Sequence, residues 1–469
     1  MVESLKKKKL FPNVYVILVV VAVLAALLTW VIPAGSYDRV TDKGITKVIP
    51  GSFHLVDSKP QGVWSILISI VEGFKKQASL IVMVFFVGSA VSILSATKAL
   101  DVGFAKLANA VKGKEALAIL IIMAIMSVGG ATGVFGNVTL VLIPIGIVLA
   151  QAMGFDRTLG FAMIFFGSFS GFNVGWANFA TIGIAQTIAE LPIFSGIGVR
   201  VILHIINFLL SYGFVMLYFK KIKTNPENSL NFESGMGLAN YMGDGELKAN
   251  KTYTLSRQQI ISLILASGGI IAVVVGALKF KWTADHISAT FLAITVLIGL
   301  ISGFGLEKTT QEFLKGCQSV VSAAFIIGFA NAITILMSKG FILDTIVYYV
   351  SIPINQFGPI AGANFMLLVN IIISVFISSG SGQATAVMPI MVPIADLTGI
   401  TRQVAVQAFQ FGDGFTNCIV PTVGSLMGGL GFARISYGKY LKWVMPLILI
   451  QIALAFVAIS ILQGVGWVG

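Results

Sequence analysis

The chain has 469 residues, 57% of them hydrophobic and only 11% charged, whereas soluble globular domains carry about 25% charged residues. That composition excludes a soluble enzyme or a disordered tail and places the chain in lipid. The net charge of +12 would suit nucleic acid, but the lysines and arginines fall in short connections between apolar runs, the pattern of cytoplasmic loops under the positive-inside bias; the expected partners are a small solute and the bilayer.

Residues 1–60 open with Lys6-Lys7-Lys8-Lys9 before an apolar run from Val14 to Ile32. The run is about as long as the ~20 residues that span a bilayer and lacks an A-x-A cleavage site, so it reads as a first transmembrane helix and not a signal peptide. The lysines hold the N-terminus in the cytoplasm, and Pro33 to Pro60 forms an extracytoplasmic connection. Residues 61–219 make a first repeat. Gly62 to Glu72 is amphipathic, Ala78 to Ala96 crosses back, and Lys98, Lys106, Lys112 and Lys114 mark a cytoplasmic return. Ala116 to Met153 reads as a hairpin around Gly129-Gly130-Ala131-Thr132-Gly133. Leu159 to Ile188 is long but interrupted at Ser168-Phe169-Ser170-Gly171 and again at Gly175-Trp176-Ala177-Asn178, and Val199 to Phe219 closes the half. Residues 220–258 form a polar cytoplasmic linker, and residues 259–306 a connecting helical hairpin. Residues 307–469 form a second repeat.

The two repeats carry the same interruptions. Pro144 precedes Gly154 by ten residues, as Pro389 precedes Gly399, and Arg157 precedes Arg402 by 402 − 157 = 245. Gly316 to Met337 matches Gly73 to Leu94, and Asp344 matches Asp101. Paired Gly-, Ser- and Pro-broken membrane segments are the mark of a secondary transporter's midplane site. Counting spans from a cytoplasmic N-terminus starts the segment after Gly73 outside and its counterpart after Gly316 inside. The expected fold is therefore an all-α polytopic membrane protein of two inverted repeats, with re-entrant helical hairpins and broken transmembrane helices.

Broken backbone in hydrocarbon persists only where protein or a water-filled cavity satisfies it, and free helix N-termini favour anions. The substrate-binding candidates at the two hairpin tips are therefore Thr132, Asn137 and Thr139, and Ser379, Ser381 and Gln383, beside Ser378 and Thr385. These neutral hydrogen-bonders suit a carboxylate or a zwitterion, although small residues at such tips also serve close helix packing. Asn173, Asn178 and Thr181, with Asn417 and Thr422, are their companions at the broken helices. Asp413 stands out in Gln410-Phe411-Gly412-Asp413-Gly414-Phe415-Thr416-Asn417. A carboxylate at the centre of a bilayer costs at least ~2.5 kcal/mol on insertion scales and marks an ion path, a proton relay or a binding site. It is assigned to coupling through Na⁺ or H⁺, with Thr416 and the first-half counterpart Ser168. The plain alternative is an Asp that caps a half-helix or pairs with Arg434. Arg157 and Arg402 read as head-group anchors, and Glu190 and Arg200 as flanks of a boundary loop.

No other cofactor is expected. His54, His204 and His286 have no metal-ligand spacing, and Cys317 and Cys418 form no CxxC pair. An intramembrane aspartyl protease needs Gly-x-Gly-Asp, but Gln410 occupies the first position. No GxxxxGK[ST] loop exists, so an enzyme or an ATP-driven pump finds no support. A channel lined by the polar repeats is the other class of reading.

The chain resembles the YfcC-type branch of the C4-dicarboxylate anaerobic carrier (DcuC-like) group within the ion transporter superfamily. The resemblance runs through Trp30-Val31-Ile32-Pro33-Ala34-Gly35, Leu191-Pro192-Ile193-Phe194-Ser195-Gly196, Gln410 to Asn417, and Pro421-Thr422-Val423-Gly424-Ser425-Leu426-Met427-Gly428. It implies a bacterial inner-membrane carrier with inverted repeats, re-entrant hairpins and a scaffold that often forms a homodimer. Members are linked to dicarboxylates or to amino acids, including basic amino acid exchange of the arginine/ornithine type. They often carry a Glu pair after the first glycine cluster, where this chain has Gly136-Asn137-Val138. Without those partners for a guanidinium or ammonium group, an anionic or neutral solute is favoured, moved by symport or exchange.

Overall fold

The computed structural model describes residues 14–42, 45–49, 51–99, 113–133, 135, 138–232, 255–280, 282–353 and 357–469. Lys6 to Lys9, Asp101, Lys106, Lys112, Gly136, Asn137 and most of the polar linker lie outside the described residues. Among those described, five helices are long and apolar enough to cross a membrane, and Leu24, Leu27, Ile202, Leu209, Ile450 and Ile461 are exposed on the outside of the bundle, as a lipid-facing surface requires.

Helix α1 (Val14–Val31) leads into two short antiparallel ribbons, β1 (Gly35–Ser36) with β4 (His54–Leu55) and β2 (Arg39–Asp42) with β3 (Ile45–Val48). The first half then runs α2 (Val63–Lys76), α3 (Ala78–Ala96), α4 (Glu115–Ala131), α5 (Val138–Ala152), α6 (Arg157–Phe172), a π-helical turn (Phe179–Gly183), α7 (Ile184–Ile188) and α8 (Ile197–Thr224). Helices α9 (Arg257–Phe280) and α10 (Ala284–Ile301) pack together as the connecting hairpin. The second half contains α11 (Gly305–Lys339), α12 (Leu343–Ser351), α13 (Pro359–Phe376), α14 (Gly380–Thr398), α15 (Arg402–Asn417), α16 (Gly424–Ala433) and α17 (Tyr437–Gly464).

The spacing seen in the sequence recurs in the helix ends. Helices α4 and α13 end 376 − 131 = 245 residues apart. Helices α6 and α15 begin 402 − 157 = 245 apart and end 417 − 172 = 245 apart. The signals are local: Asp156 and Thr401 cap α6 and α15 by accepting from Leu159 N and Val404 N, and Gly154 and Gly399 take left-handed backbone just after α5 and α14. Each half thus holds a helix–break–helix pair followed by an interrupted helix. The halves exchange partners: α16 packs on α5, while the π-turn and α7 pack on α14.

Several expected breaks lie elsewhere. Gly129 and Gly130 stay inside α4, Ser168 to Gly171 stay inside α6, and Pro144 and Pro389 lie within α5 and α14. Among the described residues the interruptions fall at 132–133, 173–178, 377–379 and 418–423. The glycines serve packing instead. A Cβ on Gly130 would lie 1.9 Å from Ser168 O, and one on Gly171 would lie 1.8 Å from Ser127 O. Helices α4 and α6 therefore touch backbone to backbone, a contact only glycine permits.

Gly171→Ala must push these helices apart, a cost of about 1–3 kcal/mol typical of overpacking. A lowered melting temperature of the purified protein is expected, with none for Gly198→Ala, whose added methyl meets nothing within 4 Å.

Candidate functional site

The second hairpin tip and the second helix break face each other. Ser379 caps α14 by accepting from Gly382 N at 3.3 Å, and the Ser378 hydroxyl donates to Thr422 O at 3.4 Å. Between them opens a cavity of about 270 Å³, whose wall includes Ser378, Ser379, Thr422 and Ser425, with Asn331 from α11 and Gln77 between α2 and α3. Among the described residues no charged side chain lines it. Two helices start at this cavity, α14 and α16, and their N-terminal amides carry partial positive charge. The N–H groups of Gly424, Ser425 and Leu426 have no acceptor among the described residues. Thr422 Oγ1 and Asn331 Oδ1 are likewise buried without a partner.

Asp413 does not line this cavity; it lies inside α15, four residues before the helix ends and not at the break itself, and is 0% exposed. Its Oδ1 accepts from Asn417 Nδ2 at 3.0 Å. Its Oδ2 has no partner and points at the start of α14: a Cβ on Gly380 would lie 2.7 Å from it and 2.6 Å from Thr181 Cγ2. Asn173 lies against Gly414. Asn173 Oδ1, Thr181 Oγ1, Thr416 Oγ1 and Asn417 Oδ1 are all buried oxygens without a donor. An unpartnered buried polar atom costs roughly 1–3 kcal/mol, so oxygens gathered around a carboxylate are the arrangement a small cation would satisfy. Arg434 is not a partner of Asp413, since it follows the far end of α16.

The first half is built differently. Ser168 donates to Thr139 Oγ1 at 2.7 Å, and Thr139 donates to Phe135 O. Thr132 turns back onto Val128 O at 3.0 Å. These hydroxyls are occupied within their own elements, and Asn137 lies outside the described residues. Asn178 accepts from Ala180 N at 3.0 Å while its Nδ2 is unpartnered, and its side chain covers Gly133, whose Cβ would fall 2.4 Å from Asn178 Oδ1. In the second half, Gln383 donates to Asn370 O at 3.0 Å and so braces α14 on α13, while Ser381 lies 3.4 Å from Ser379 on the exposed side of the tip. Thr385 donates to Gly382 O.

Several polar residues matter that sequence reasoning passed over or placed elsewhere. Asn331 and Asn370 are single polar residues in apolar surroundings, a signal the spacing of the tips concealed, while Gln77 follows Lys75 and Lys76 and reads as part of a polar connection. His204 ties the first break to α4 and α8. The Trp176 indole donates to His204 Nδ1 at 2.8 Å, which leaves the ring proton on Nε2 facing Ser127 Oγ, and Ser127 and Ser170 hydroxyls meet at 2.7 Å. Arg200 is fully buried instead of flanking a loop: its guanidinium donates to Gln407 Oε1 at 2.8 Å, to Gln403 Oε1 at 2.9 Å and to Ser195 O. Arg402 pairs with Asp396 at 2.7 Å and Glu190 at 3.0 Å.

Residues 11–464 match the protein family described as the C4-dicarboxylate anaerobic carrier. YfcC of Escherichia coli (strain K12), whose name assigns it provisionally to basic amino acid antiport, is 29% identical, with 92% of each chain covered. A Haemophilus influenzae protein named only as uncharacterized is 28% identical over 95% of this chain and 96% of its own. Among solved structures, the Alcanivorax borkumensis YdaH transporter aligns at 17% identity over 97% of this chain and 99% of its own, with a TM-score of 0.40.

The cavity and the first-half pair differ in access to water. Ser379→Cys, on an exposed cavity-lining position, is expected to react with a small methanethiosulfonate at near the rate of a free thiol. Thr139→Cys, at a position 1% exposed, is expected to react at least tenfold more slowly, roughly as buried thiols do; comparable rates would show the first tip to be open.

Proposed function

The chain belongs to the C4-dicarboxylate anaerobic carrier family, whose members are multi-pass membrane transporters, and from that premise we propose that it is a secondary active transporter of a small carboxylate-bearing solute. The observation that carries this reading is the convergence of two helix N-termini, at Gly380 and Gly424, on one uncharged cavity. Oriented N–H groups and neutral hydroxyls bind a carboxylate without needing a counter-charge. The solute's carboxylate sits against Gly424, Ser425 and Ser379, with Thr422, Asn331 and Gln77 donating from the sides. Asp413 couples its movement to Na⁺ or H⁺, and Asn173, Thr181, Thr416 and Asn417 supply the neighbouring oxygens. Thr132, Thr139, Ser168 and Gln383 hold the frame.

The halves are read as inverted in the membrane. What supports this is antiparallel contact between equivalent segments: Gly73 meets Gly328 while Gly316 meets Ser89, and Asn207 and Ser211 of α8 meet Gln451 of α17 while Tyr218 meets Trp443. Lys98, Lys114, Lys220, Lys221 and Lys223 lie at the end of the bundle where α3 and α8 finish, which makes that end cytoplasmic under the positive-inside bias. The same bias supports a cytoplasmic N-terminus, and membership of a bacterial carrier family supports the inner membrane. A homodimer is an expectation carried by the family resemblance.

An amino acid is the second reading, favoured by the bare Asp413 Oδ2, which could receive an α-ammonium while the helix ends hold the carboxylate.

In proteoliposomes, Asp413→Asn is expected to abolish accumulation driven by a Na⁺ or H⁺ gradient while counter-substrate exchange survives. Undiminished accumulation would remove Asp413 from coupling, and single-channel currents would replace the carrier with a channel. Asn331→Leu is expected to raise KM about tenfold, the loss of one hydrogen bond of ~1.5 kcal/mol to a charged ligand, with turnover little changed. Binding of amino acids but not dicarboxylates, lost in Asp413→Asn, selects the second reading.

A further inference from the structure

A second and larger cavity, of about 550 Å³, lies nearer the lysine-rich end of the same helices. Among the described residues its wall carries Arg157, itself engaged by a partner, with Lys308, Lys315 and Arg434 against one carboxylate, Glu312, a formal lining charge of 4 − 1 = +3. Glu312 is already engaged, accepting from Ser92 Oγ at 3.1 Å and lying 3.7 Å from Lys315 Nζ. Gln151 Nε2, also on the wall, is buried without an acceptor. Arg434 holds a left-handed backbone at φ 56° directly after α16. It closes that helix as its C-cap, with Arg434 N reaching Gly431 O at 3.2 Å and Ile435 N reaching Leu430 O at 3.0 Å.

The two cavities share their walls. Helices α3, α5, α11 and α16 contribute Leu80, Leu140, Ile327 and Gly424 to the smaller cavity and Ser95, Gln151, Lys308 and Gly431 to the larger. Along α16 the interval from Gly424 to Arg434 is ten residues, about 15 Å at 1.5 Å per residue. Between them the helices close on an apolar plug: a Cβ on Gly428 would lie 2.9 Å from Leu140 Cδ1 and 3.7 Å from Ile327 Cδ1.

We propose that the larger cavity is an anion-gathering vestibule, a second binding site that holds a carboxylate-bearing solute before it passes the Leu140–Ile327 plug. The inference rests on the carboxylate reading of the inner site. A positive cleft with low-dielectric walls focuses field and raises the local concentration of anions, and the guanidinium fork of Arg434 matches carboxylate geometry. The vestibule rejects ammonium- and guanidinium-bearing solutes without a free carboxylate, so it sorts charge before the neutral inner site sorts shape.

The test reads local charge chemically and needs no transport. In a Cys317→Ser background, Ser95→Cys places a thiol on the vestibule wall in phosphatidylcholine nanodiscs. A sulfonate-bearing methanethiosulfonate is expected to modify it about tenfold faster than a trimethylammonium-bearing one, after correction for their rates on free cysteine. Arg157→Gln with Arg434→Gln should remove most of that bias and Arg434→Lys should keep it, while an uncharged methanethiosulfonate reports that each variant is folded. Succinate should slow the modification relative to chloride at equal ionic strength. Equal rates for the two reagents, or a bias indifferent to the arginine substitutions, overturns the proposal. Protection by phosphatidylglycerol with none from succinate assigns the cavity to lipid head groups and overturns it as well. Protection by succinate without carboxylate uptake sinks the carboxylate reading and upholds the vestibule; carboxylate uptake with no charge bias sinks the vestibule alone.

Discussion

Helix ends that stop inside the bundle impose the terms on which everything else is built. In hydrocarbon a free N–H or C=O has no water to turn to and costs several kcal/mol, so interrupted helices survive only where protein, ligand or trapped water completes them. Among the described residues such interruptions fall at 132–133, 173–178, 377–379 and 418–423. Some are completed internally. Phe135 N reaches Gly129 O at 3.0 Å, Ala177 N reaches Ala131 O at 3.1 Å, and the Gln410 amide donates to Phe172 O at 2.6 Å. The start of α16 is left open, and that is where the uncharged cavity lies. The site is the remainder of a hydrogen-bond account that the fold otherwise closes.

The duplicated architecture makes the departure from symmetry informative. Ser168 and Asp413 occupy equivalent places at the 413 − 168 = 245 step. One donates to Thr139 in a sealed pair; the other leaves an oxygen bare beside Gly380. The first half therefore resembles a braced copy of the second. His204, Ser127 and Ser170 contribute to that bracing, because they fill the space around the first break with satisfied polar groups. A hydroxyl pair stores no charge, so the proposed coupling falls to one half alone.

Much of this was legible in the sequence because helix ends are written in local residue chemistry. Asp156, Thr401, Gly154 and Gly399 mark caps at matched spacing, and the repeat follows from them without any knowledge of packing. Polar side chains at the second tip and break, Ser379, Thr422, Asn417 and Asp413, were legible for the same reason. What sequence could not give is which neighbour each small or polar residue meets. Gly129 and Gly130 read as a break, yet Gly130 permits backbone contact with α6 and Gly129 makes room for the Phe135 ring. Gln383 reads as a ligand group; its amide nitrogen is held by Asn370, while its Oε1 is buried without a partner. Asn331 and Gln77 come to the cavity from elements 245 residues and more from some of their partners in the chain, and only tertiary folding brings them there. Arg200 reads as a boundary residue, yet the amide oxygens of Gln403 and Gln407 accept its donors and Trp467 covers its face at 5.1 Å.

The placement of a bare carboxylate beside a helix start has a consequence for coupling. An isolated charge at the bilayer centre costs ~2.5–3.5 kcal/mol on insertion scales, so a carrier gains little by moving an anion alone. With the inner site filled by a carboxylate, helix N-termini at α14 and α16 balance the negative charge only in part, each contributing roughly half an elementary charge. Asp413 Oδ2, facing Gly380, places a second negative charge against the same α14 start. The two anions compete for one positive dipole unless a cation or a proton neutralises Asp413. On the proposed reading, coupling then needs no moving latch: solute and coupling ion are loaded together because the solute's carboxylate is tolerated beside Asp413 only once a cation or a proton has neutralised that side chain.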